Sequence, residues 1–391
     1  MRLLTVALFV AMSTALFLLL PAKYRAPLVW GWLITTLPLG LFLLSSNNPS
    51  AWAMLGVGSS WLALMGWFDS AGRRKFALGG LFVLSVLLAA GSRGDAALYA
   101  GLGIALVLVL TVARRRGFWL DAILPAVMGL VALVFLVSAR QSESGLVGFS
   151  EGSNLIPGEG PTSEAGPEQT LSAFGLFANN LLNVSLLWTG VLGDEWGLGW
   201  LDTAMPPLVS AATIAVFVTV GFVGIGQMWG RKAIVLGVLV LALVALPVYV
   251  LQAGGGLIGE QVQPRYLMPL IVLLGGMLVL TRQATLDRFT WPNRVTIIVA
   301  LTGAHFVALH LNIRRYVTGV DVAAVNLDAG AEWWWSGPIG PNAVWLLGSL
   351  AYALLVALIV QSRAWSEGHS DSTVPLKHNA GRASGADHDV A

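Results

Sequence analysis

The chain contains no cysteine and few charged residues. Only 11% of its 391 residues are Asp, Glu, Lys or Arg, whereas about 25% is usual in soluble domains. The absence of cysteine excludes disulfides, thiol nucleophiles and cysteine-ligated metal sites. The five histidines are too widely spaced for a metal-binding motif, so no metal-site residues are predicted, and the identity of any cofactor is unknown from the sequence. The scarcity of charge excludes a water-soluble fold, because too few polar side chains remain to cover a globule.

Long apolar runs make up most of the sequence. Apolar residues account for 56% of the chain and the mean hydropathy is +0.77, which predicts an integral membrane protein. A spanning helix needs roughly 20 mostly apolar residues, and we count eleven such runs. They are 3–20, 27–45, 51–68, 76–90, 96–113, 118–137, 207–229, 233–251, 266–281, 295–312 and 342–361. The predicted fold is therefore an all-α polytopic membrane protein with about eleven transmembrane helices.

The basic residues predict the orientation of these helices. Sixteen of the 22 Lys and Arg residues lie in one alternate set of connections and six in the other, which also carries thirteen of the 20 acidic residues. Cytoplasmic loops are enriched in Lys and Arg. The N-terminus is accordingly predicted outside and the C-terminus in the cytoplasm. Short basic clusters between apolar runs are typical of membrane topology, so nucleic acid is not an expected partner.

The predicted domain organisation is one transmembrane domain over 1–361 and a disordered cytoplasmic tail over 362–391. Two external loops, 138–206 and 313–341, exceed turn length. The first begins with a Gly/Ser/Glu/Pro-rich stretch, 141–169, that favours flexibility. Its apolar second half, 171–200, predicts a helix along the outer interface with Trp188, Trp196 and Trp200 at headgroup depth.

Polar residues at helix ends converge on the predicted external side. Four of the arginines there follow or begin a helix, although membrane topology selects against positive charge outside. A guanidinium can bind phosphate or carboxylate with two parallel hydrogen bonds, which suggests an anionic ligand at the outer leaflet. The candidate binding residues are Asn48, Arg93, Asp95, Asp202, Arg265, Tyr266, Arg314 and Arg315.

Structural roles for the same residues stay open. Arg93 can form a local ion pair with Asp95, and Arg265 can pair with Glu260. The adjacent Arg314 and Arg315 can contact lipid headgroups only. Within the apolar runs, His305 and His310 are expected to form hydrogen bonds in the core of the protein.

Five short blocks occur in an order that resembles a known family. They are Asn48–Ser50, Ser92–Asp95, Gly199–Thr203 with Pro206, Gln263–Leu270, and Arg314–Val317 followed by Gly319 and Asp321. Together they resemble the predicted membrane proteins grouped as domain of unknown function 2142, from about Arg2 to Val360. That family is in turn similar to C-type glycosyltransferases, which use polyprenyl-phosphate sugars outside the cytoplasmic membrane.

The resemblance implies a function but no catalytic residue. Members of the family usually begin with an extra helix and a long external loop bearing an Asp-Glu motif, and this chain starts after that region. We expect a glycosyltransferase-like protein that uses a polyprenyl-phosphate-linked sugar in cell-envelope glycan assembly, with the lipid carrier and membrane lipids as partners. The alternative is a non-catalytic lipid-linked glycan transporter or an assembly partner. Whether the protein is an enzyme stays open at this point.

Overall fold

All regular elements in the described part of the chain are α-helices. The structure, a computed structural model, describes residues 2–113, 116–138, 171–194, 198, 203–260, 262–281, 289–319 and 321–362. The helices are α1 Arg2–Leu19, α2 Ala22–Thr35, α3 Leu39–Leu44, α4 Pro49–Asp69, α5 Gly72–Ser92, α6 Gly94–Thr111, α7 Arg116–Asp121, α8 Ile123–Ser138, α9 Ala173–Asn183, α10 Ser185–Val191, α11 Pro207–Ile225, α12 Gly230–Gly254, α13 Pro264–Val279, α14 Trp291–Val317 and α15 Pro341–Gln361. The predicted flexible stretch at 141–169 and the tail from 363 onward lie outside the described residues.

Nine helical segments of the described residues are long and apolar enough to cross a membrane. The eleven predicted runs include two that fall short of this criterion. The run at 27–45 is divided into α2 and α3 by a turn at Thr36–Pro38, and α13 has only 16 residues. The chain is thus a multi-pass membrane protein, while the count of eleven spans stays a prediction.

The short helix α13 lies at the centre of the bundle. All of its residues except Arg265 and Leu274 are buried, whereas the outer helices α1, α8 and α15 expose many Leu and Val side chains. Small residues bring the central helices together: a Cβ on Gly31 of α2 would lie 2.9 Å from Gly276 Cα of α13. Such close approach of backbones is typical of helix pairs in membranes.

Polar contacts sort the connections of the bundle into two ends. At one, which we call the basic end, Lys23 pairs with Asp69 (2.7 Å) and Lys75 pairs with Asp121. Arg231 belongs to the same end, where its Nη1 donates to the Val112 carbonyl. At the other, which we call the site end, the first turn of α4 contacts the start of α6 and α13 through Ser50, Arg93 and Tyr266. The α2–α3 segment and α13 each run between these ends.

A buried lysine closes α13 at the basic end. Lys232 is 1% exposed, and its Nζ donates to the carbonyl oxygens of Gly224, Leu278 and Leu280, each at 2.8 Å. Gly224 and Leu278 lie in the last turns of α11 and α13, and Leu280 is the C-cap of α13. The last carbonyls of a helix have no i+4 N–H partner within it. Lys232 is one of the sixteen basic residues predicted on the cytoplasmic side, and its contacts show that it is also a helix cap.

The apolar half of the first long loop forms two helices, α9 and α10. Asn180 of α9 is fully buried, where it donates to the Gly256 carbonyl and accepts from the Ile258 N–H. Trp188, which is expected at headgroup depth, contacts α12, where its indole N–H donates to the Leu243 carbonyl at 3.1 Å; its depth in the membrane stays a prediction. Pro247, four residues later, has no N–H for that carbonyl. Trp196 and Trp200 lie outside the described residues.

The packing of α13 predicts a large effect of adding one methyl group. A Cβ on Gly276 would lie 2.4 Å from Cζ2 of the buried Trp61, so we expect Gly276→Ala to lower the free energy of unfolding by about 1–3 kcal/mol. Gly303→Ala on α14 is the matched control, since a Cβ there meets nothing within 4 Å. Thermal unfolding of the detergent-solubilised variants measures both effects, and equal midpoints would contradict this account of the packing.

Candidate functional site

A buried ion pair forms the centre of the site end. Arg93 is the extended residue between α5 and α6, which lets its side chain turn back along the first turn of α6. Its Nε and Nη2 donate to the two carboxylate oxygens of Asp95 at 2.9 and 3.2 Å, and Nη1 lies 3.4 Å from Ser50 Oγ. The side chains are 7% and 3% exposed. The predicted Arg93–Asp95 pair is therefore present, with both oxygens of the carboxylate occupied.

The Asp95 carboxylate stabilises the charged Arg93 guanidinium inside the protein. Burial alone would lower the pKa of the Arg93 guanidinium, but the charge of Asp95 and its hydrogen bonds outweigh burial and raise that pKa above its usual value. The Asp95 carboxylate also accepts from the Ala96 N–H in the first turn of α6, where the helix dipole favours negative charge. The Arg93 guanidinium is accordingly held in its charged form beside Asp95.

Tyr266 brings a second arginine to the same place. Its ring is buried, and its centroid lies 4.3 Å from the Arg93 Cζ and 5.2 Å from the Arg265 Cζ. Arg265 Nη2 also donates to the Tyr266 hydroxyl at 3.3 Å. Pro264 occupies the first turn of α13, a position where a missing N–H leaves no helical bond unmade. The two arginines thus meet at one aromatic ring despite their separation in sequence.

Asn48 stabilises the neighbouring helix start. It is the N-cap of α4, and its Oδ1 accepts from the Ser50 N–H at 2.9 Å. This cap holds the turn in which Ser50 contacts Arg93. The contacts give Asn48 a positioning role beside the ion pair. Ser50, which the sequence analysis did not select, is the residue that connects α4 to the cluster.

The other candidates occupy different positions. Arg314 and Arg315 lie in the last turn of α14. The negative end of the helix dipole stabilises basic side chains at this position. The Arg315 guanidinium lies 4.9 Å from the ring centroid of Tyr316, and Tyr316 lines a cavity of about 600 Å³ with Trp333, Trp334 and Trp335. The contacts described above bring neither residue to Tyr266. Asp202 lies outside the described residues.

Glu260 has a local role in the loop before α13. Its Oε2 accepts from the Leu257 N–H at 2.9 Å. Between described residues, ion pairs join Lys23 to Asp69, Lys75 to Asp121 and Arg93 to Asp95, and Glu260 takes part in none of them. The alternative in which Arg265 pairs with Glu260 is therefore wrong. The carboxylate instead closes its own turn.

The buried pair predicts an asymmetry between two aspartates. Asp95→Asn leaves the Arg93 charge buried without its carboxylate, so we expect a loss of about 3–5 kcal/mol in the free energy of unfolding. Asp69→Asn is the control, because Asp69 and Lys23 are 33% and 45% exposed and an exposed pair contributes about 0–1 kcal/mol. The asparagine keeps an oxygen that can accept from the Tyr24 hydroxyl, the other partner of Asp69. Chemical unfolding in detergent measures both, and a loss at Asp95 no larger than that at Asp69 would refute the assigned burial.

Comparison with known proteins identifies the family of the chain. No curated protein and no solved structure matches it. A family model described as "predicted membrane protein (DUF2142)" matches residues 1–274, more than two thirds of the chain. The match includes Arg93, Asp95, Arg265 and Tyr266 and ends before Arg314. The chain belongs to the DUF2142 family of predicted membrane proteins.

Proposed function

We propose that the site end binds the phosphate of a polyprenyl-phosphate-linked sugar on the external side of the membrane, in a glycosyltransferase-like role in cell-envelope glycan assembly. The observation that carries this proposal is the meeting of Arg93 and Arg265 at Tyr266 in the first turn of α13. A phosphate there would face a guanidinium and the backbone N–H groups of a helix N-terminus. Both favour an anion.

Arg93 and Arg265 have different parts in this proposal. The guanidinium of Arg93 is already engaged by both oxygens of Asp95, which compensate its charge, so Arg93 has the role of ordering the Tyr266 ring. Arg265 is half-buried, and we assign it to direct contact with the phosphate. Its planar fork matches two oxygens of a phosphate, which a lysine ammonium cannot do in the same geometry.

Glycosyl transfer also needs a carboxylate to activate the acceptor hydroxyl. Asp95 is poorly suited to this task, because two arginine nitrogens and a backbone N–H already occupy its oxygens. The Glu260 carboxylate accepts from the Leu257 N–H. Asp202 is therefore the remaining acidic residue among the candidate binding residues. These contacts favour, as a second function, the non-catalytic alternative: a transporter of lipid-linked glycans or an assembly partner that binds the carrier without reacting with it.

The proposal includes eleven crossings with the N-terminus outside, which puts the site end on the external face. Cysteine labelling tests this directly because the chain has no native Cys. Asn47 and Ala71 are exposed residues on either side of α4. We expect a membrane-impermeant maleimide to label Asn47→Cys in intact cells and Ala71→Cys only after permeabilisation. The reverse pattern would overturn the orientation and with it the external site.

The phosphate contact is tested by binding of a long-chain polyprenyl phosphate to the purified protein in nanodiscs. Loss of a charge-assisted hydrogen bond lowers affinity roughly ten- to 100-fold, which we expect for Arg265→Ala. Arg265→Lys should give an intermediate loss, because it keeps the charge without the fork. Glu260→Gln is the control and should bind as the wild type does. Wild-type affinity in Arg265→Ala would remove the residue from the site.

The two functions differ in the fate of the bound lipid. If the protein is a transferase, the wild type incubated with a polyprenyl-phosphate sugar and a glycan acceptor forms glycosylated product and releases polyprenyl phosphate. If it is a transporter or partner, it binds the same lipid with the same Arg265 dependence and leaves the sugar–phosphate bond intact. Product analysis by mass spectrometry separates these outcomes.

A further inference from the structure

A second cavity lies inside the membrane-spanning part of the bundle, away from the arginine cluster. It has a volume of about 380 Å³ and lies between the α2–α3 turn and helices α14 and α15. Leu37, Pro38 and Leu355 contribute to its apolar wall, and His305, Asn312 and Tyr352 are among its polar lining residues. We call it the α14–α15 cavity. Its size is within the range of about 300–1,000 Å³ that is usual for ligand pockets.

Three polar side chains that line this cavity have a buried polar atom without a hydrogen-bond partner among the described residues. These atoms are His305 Nδ1, Asn312 Oδ1 and the Tyr352 hydroxyl. Tyr352 is only 8% exposed, and its ring stacks on that of His305 with centroids 4.1 Å apart and planes within 9°. The expected hydrogen bonding of His305 through Nδ1 is therefore not found, whereas His310 Nε2 bonds the Val325 carbonyl.

The position of these groups favours a ligand role on energetic grounds. His305 and Tyr352 lie near the middle of α14 and α15, both of which are long and apolar enough to span a membrane. A polar atom without a hydrogen-bond partner in hydrocarbon destabilises the folded protein. Polar residues retained at such depth commonly mark binding sites or pathways. Because the three atoms are themselves fully buried, a ligand hydroxyl reaches them when the His305 or Tyr352 side chain shifts, and the hydrogen bond that it then forms removes that cost.

The chemistry of the lining selects the class of ligand. The lining residues, all of them in the described part of the chain, include no charged side chain, so a phosphate or carboxylate would enter without a counter-ion. Neutral phenol, imidazole and amide groups instead suit a hydroxyl, which both donates and accepts. The remaining wall is mostly leucine, proline and alanine, which suits an alkyl or isoprenoid chain.

The α14–α15 cavity adjoins the larger cavity at the end of α14. Phe42, Ser45 and Asn312 line both. Trp333, Trp334 and Trp335 line the larger one, and the Trp335 ring contacts the other two edge to face. Tryptophan clusters are typical of the membrane–water interface. The two cavities therefore lie side by side along α14, from that interface towards the middle of the bundle.

We infer that the α14–α15 cavity binds a neutral long-chain alcohol, with the hydroxyl at His305 and Tyr352 and the chain along the apolar wall towards the tryptophan cluster. This site is distinct from the phosphate site proposed at Arg265, in position and in chemistry. The alcohol is recognised by one hydroxyl and a chain, whereas the phosphate is recognised by a guanidinium.

The test uses geranylgeraniol and its methyl ether, with binding to the purified full chain in nanodiscs measured by native mass spectrometry. The ether keeps the chain but cannot donate a hydrogen bond. Tyr352→Phe removes only the hydroxyl, and Tyr99→Phe is the matched control, because Tyr99 also has a buried hydroxyl with no partner among the described residues but does not line the cavity. Thermal unfolding verifies that both variants fold.

We expect the wild type to bind the alcohol roughly three- to tenfold more tightly than the ether, the contribution of one hydrogen bond. Tyr352→Phe should abolish that difference, and Tyr99→Phe should keep it. Equal binding of alcohol and ether by the wild type, or an unchanged preference in Tyr352→Phe, would overturn the proposal. If the preference depends on Tyr99 instead, the assigned cavity is wrong.

Arg265→Ala separates this inference from the proposed function. It should retain the alcohol preference while losing polyprenyl phosphate binding, and Tyr352→Phe should show the converse. Loss of the alcohol preference in Arg265→Ala would mean that a single site takes both ligands, which contradicts the inference. Failure of phosphate binding in the wild type would refute the proposed function and leave the alcohol result intact.

Discussion

The ends of α13 impose the main physical constraint on this protein. With 16 residues, the helix is about 24 Å long at 1.5 Å per residue, which is shorter than the roughly 30 Å hydrocarbon core of a bilayer. Backbone groups at its ends cannot rely on headgroup water, so other parts of the chain must satisfy them. At the basic end Lys232 donates to the Leu278 and Leu280 carbonyls. At the site end α13 begins among Arg93, Arg265 and Tyr266.

The central position of α13 determines how the neighbouring helices pack. Because its backbone is enclosed by protein, the irregular turn between α2 and α3 and the proline within α13 lie where other helices cover them, as non-helical backbone at membrane depth requires. Gly31 and Gly276 allow α2 and α13 to touch, and Gly224 leaves room for the Leu278 carbonyl, which a Cβ would approach to 2.0 Å. The outer helices then need only an apolar surface towards lipid.

The need to satisfy polar groups within the protein also separates the charged side chains from the neutral polar ones. Among the described residues, the buried charges lie at the ends of the bundle, where ion pairs and carbonyl groups compensate them: Asp95 neutralises Arg93 and three carbonyls accept from Lys232. The interior between α14 and α15 instead retains neutral groups, His305 and Tyr352. An anion is stabilised where guanidinium groups and a helix N-terminus meet, and a neutral hydroxyl is stabilised where only imidazole and phenol are present.

The sequence by itself determined that the chain is a helical membrane protein, because apolar runs of spanning length and the lack of charge have no other stable solution. It also located the Arg93–Asp95 pair, since two residues of separation at a helix start leave the groups within reach. Only the tertiary structure decided that α13 is central and that Arg93 and Arg265 both contact the Tyr266 ring. It also decided that Trp188 donates to the Leu243 carbonyl and that the His305 ring stacks on Tyr352. Those contacts join residues far apart in the chain, and they depend on which face of each helix is turned inward. Hydrophobic periodicity does not reveal that face in a membrane protein, because lipid and the protein interior are equally apolar.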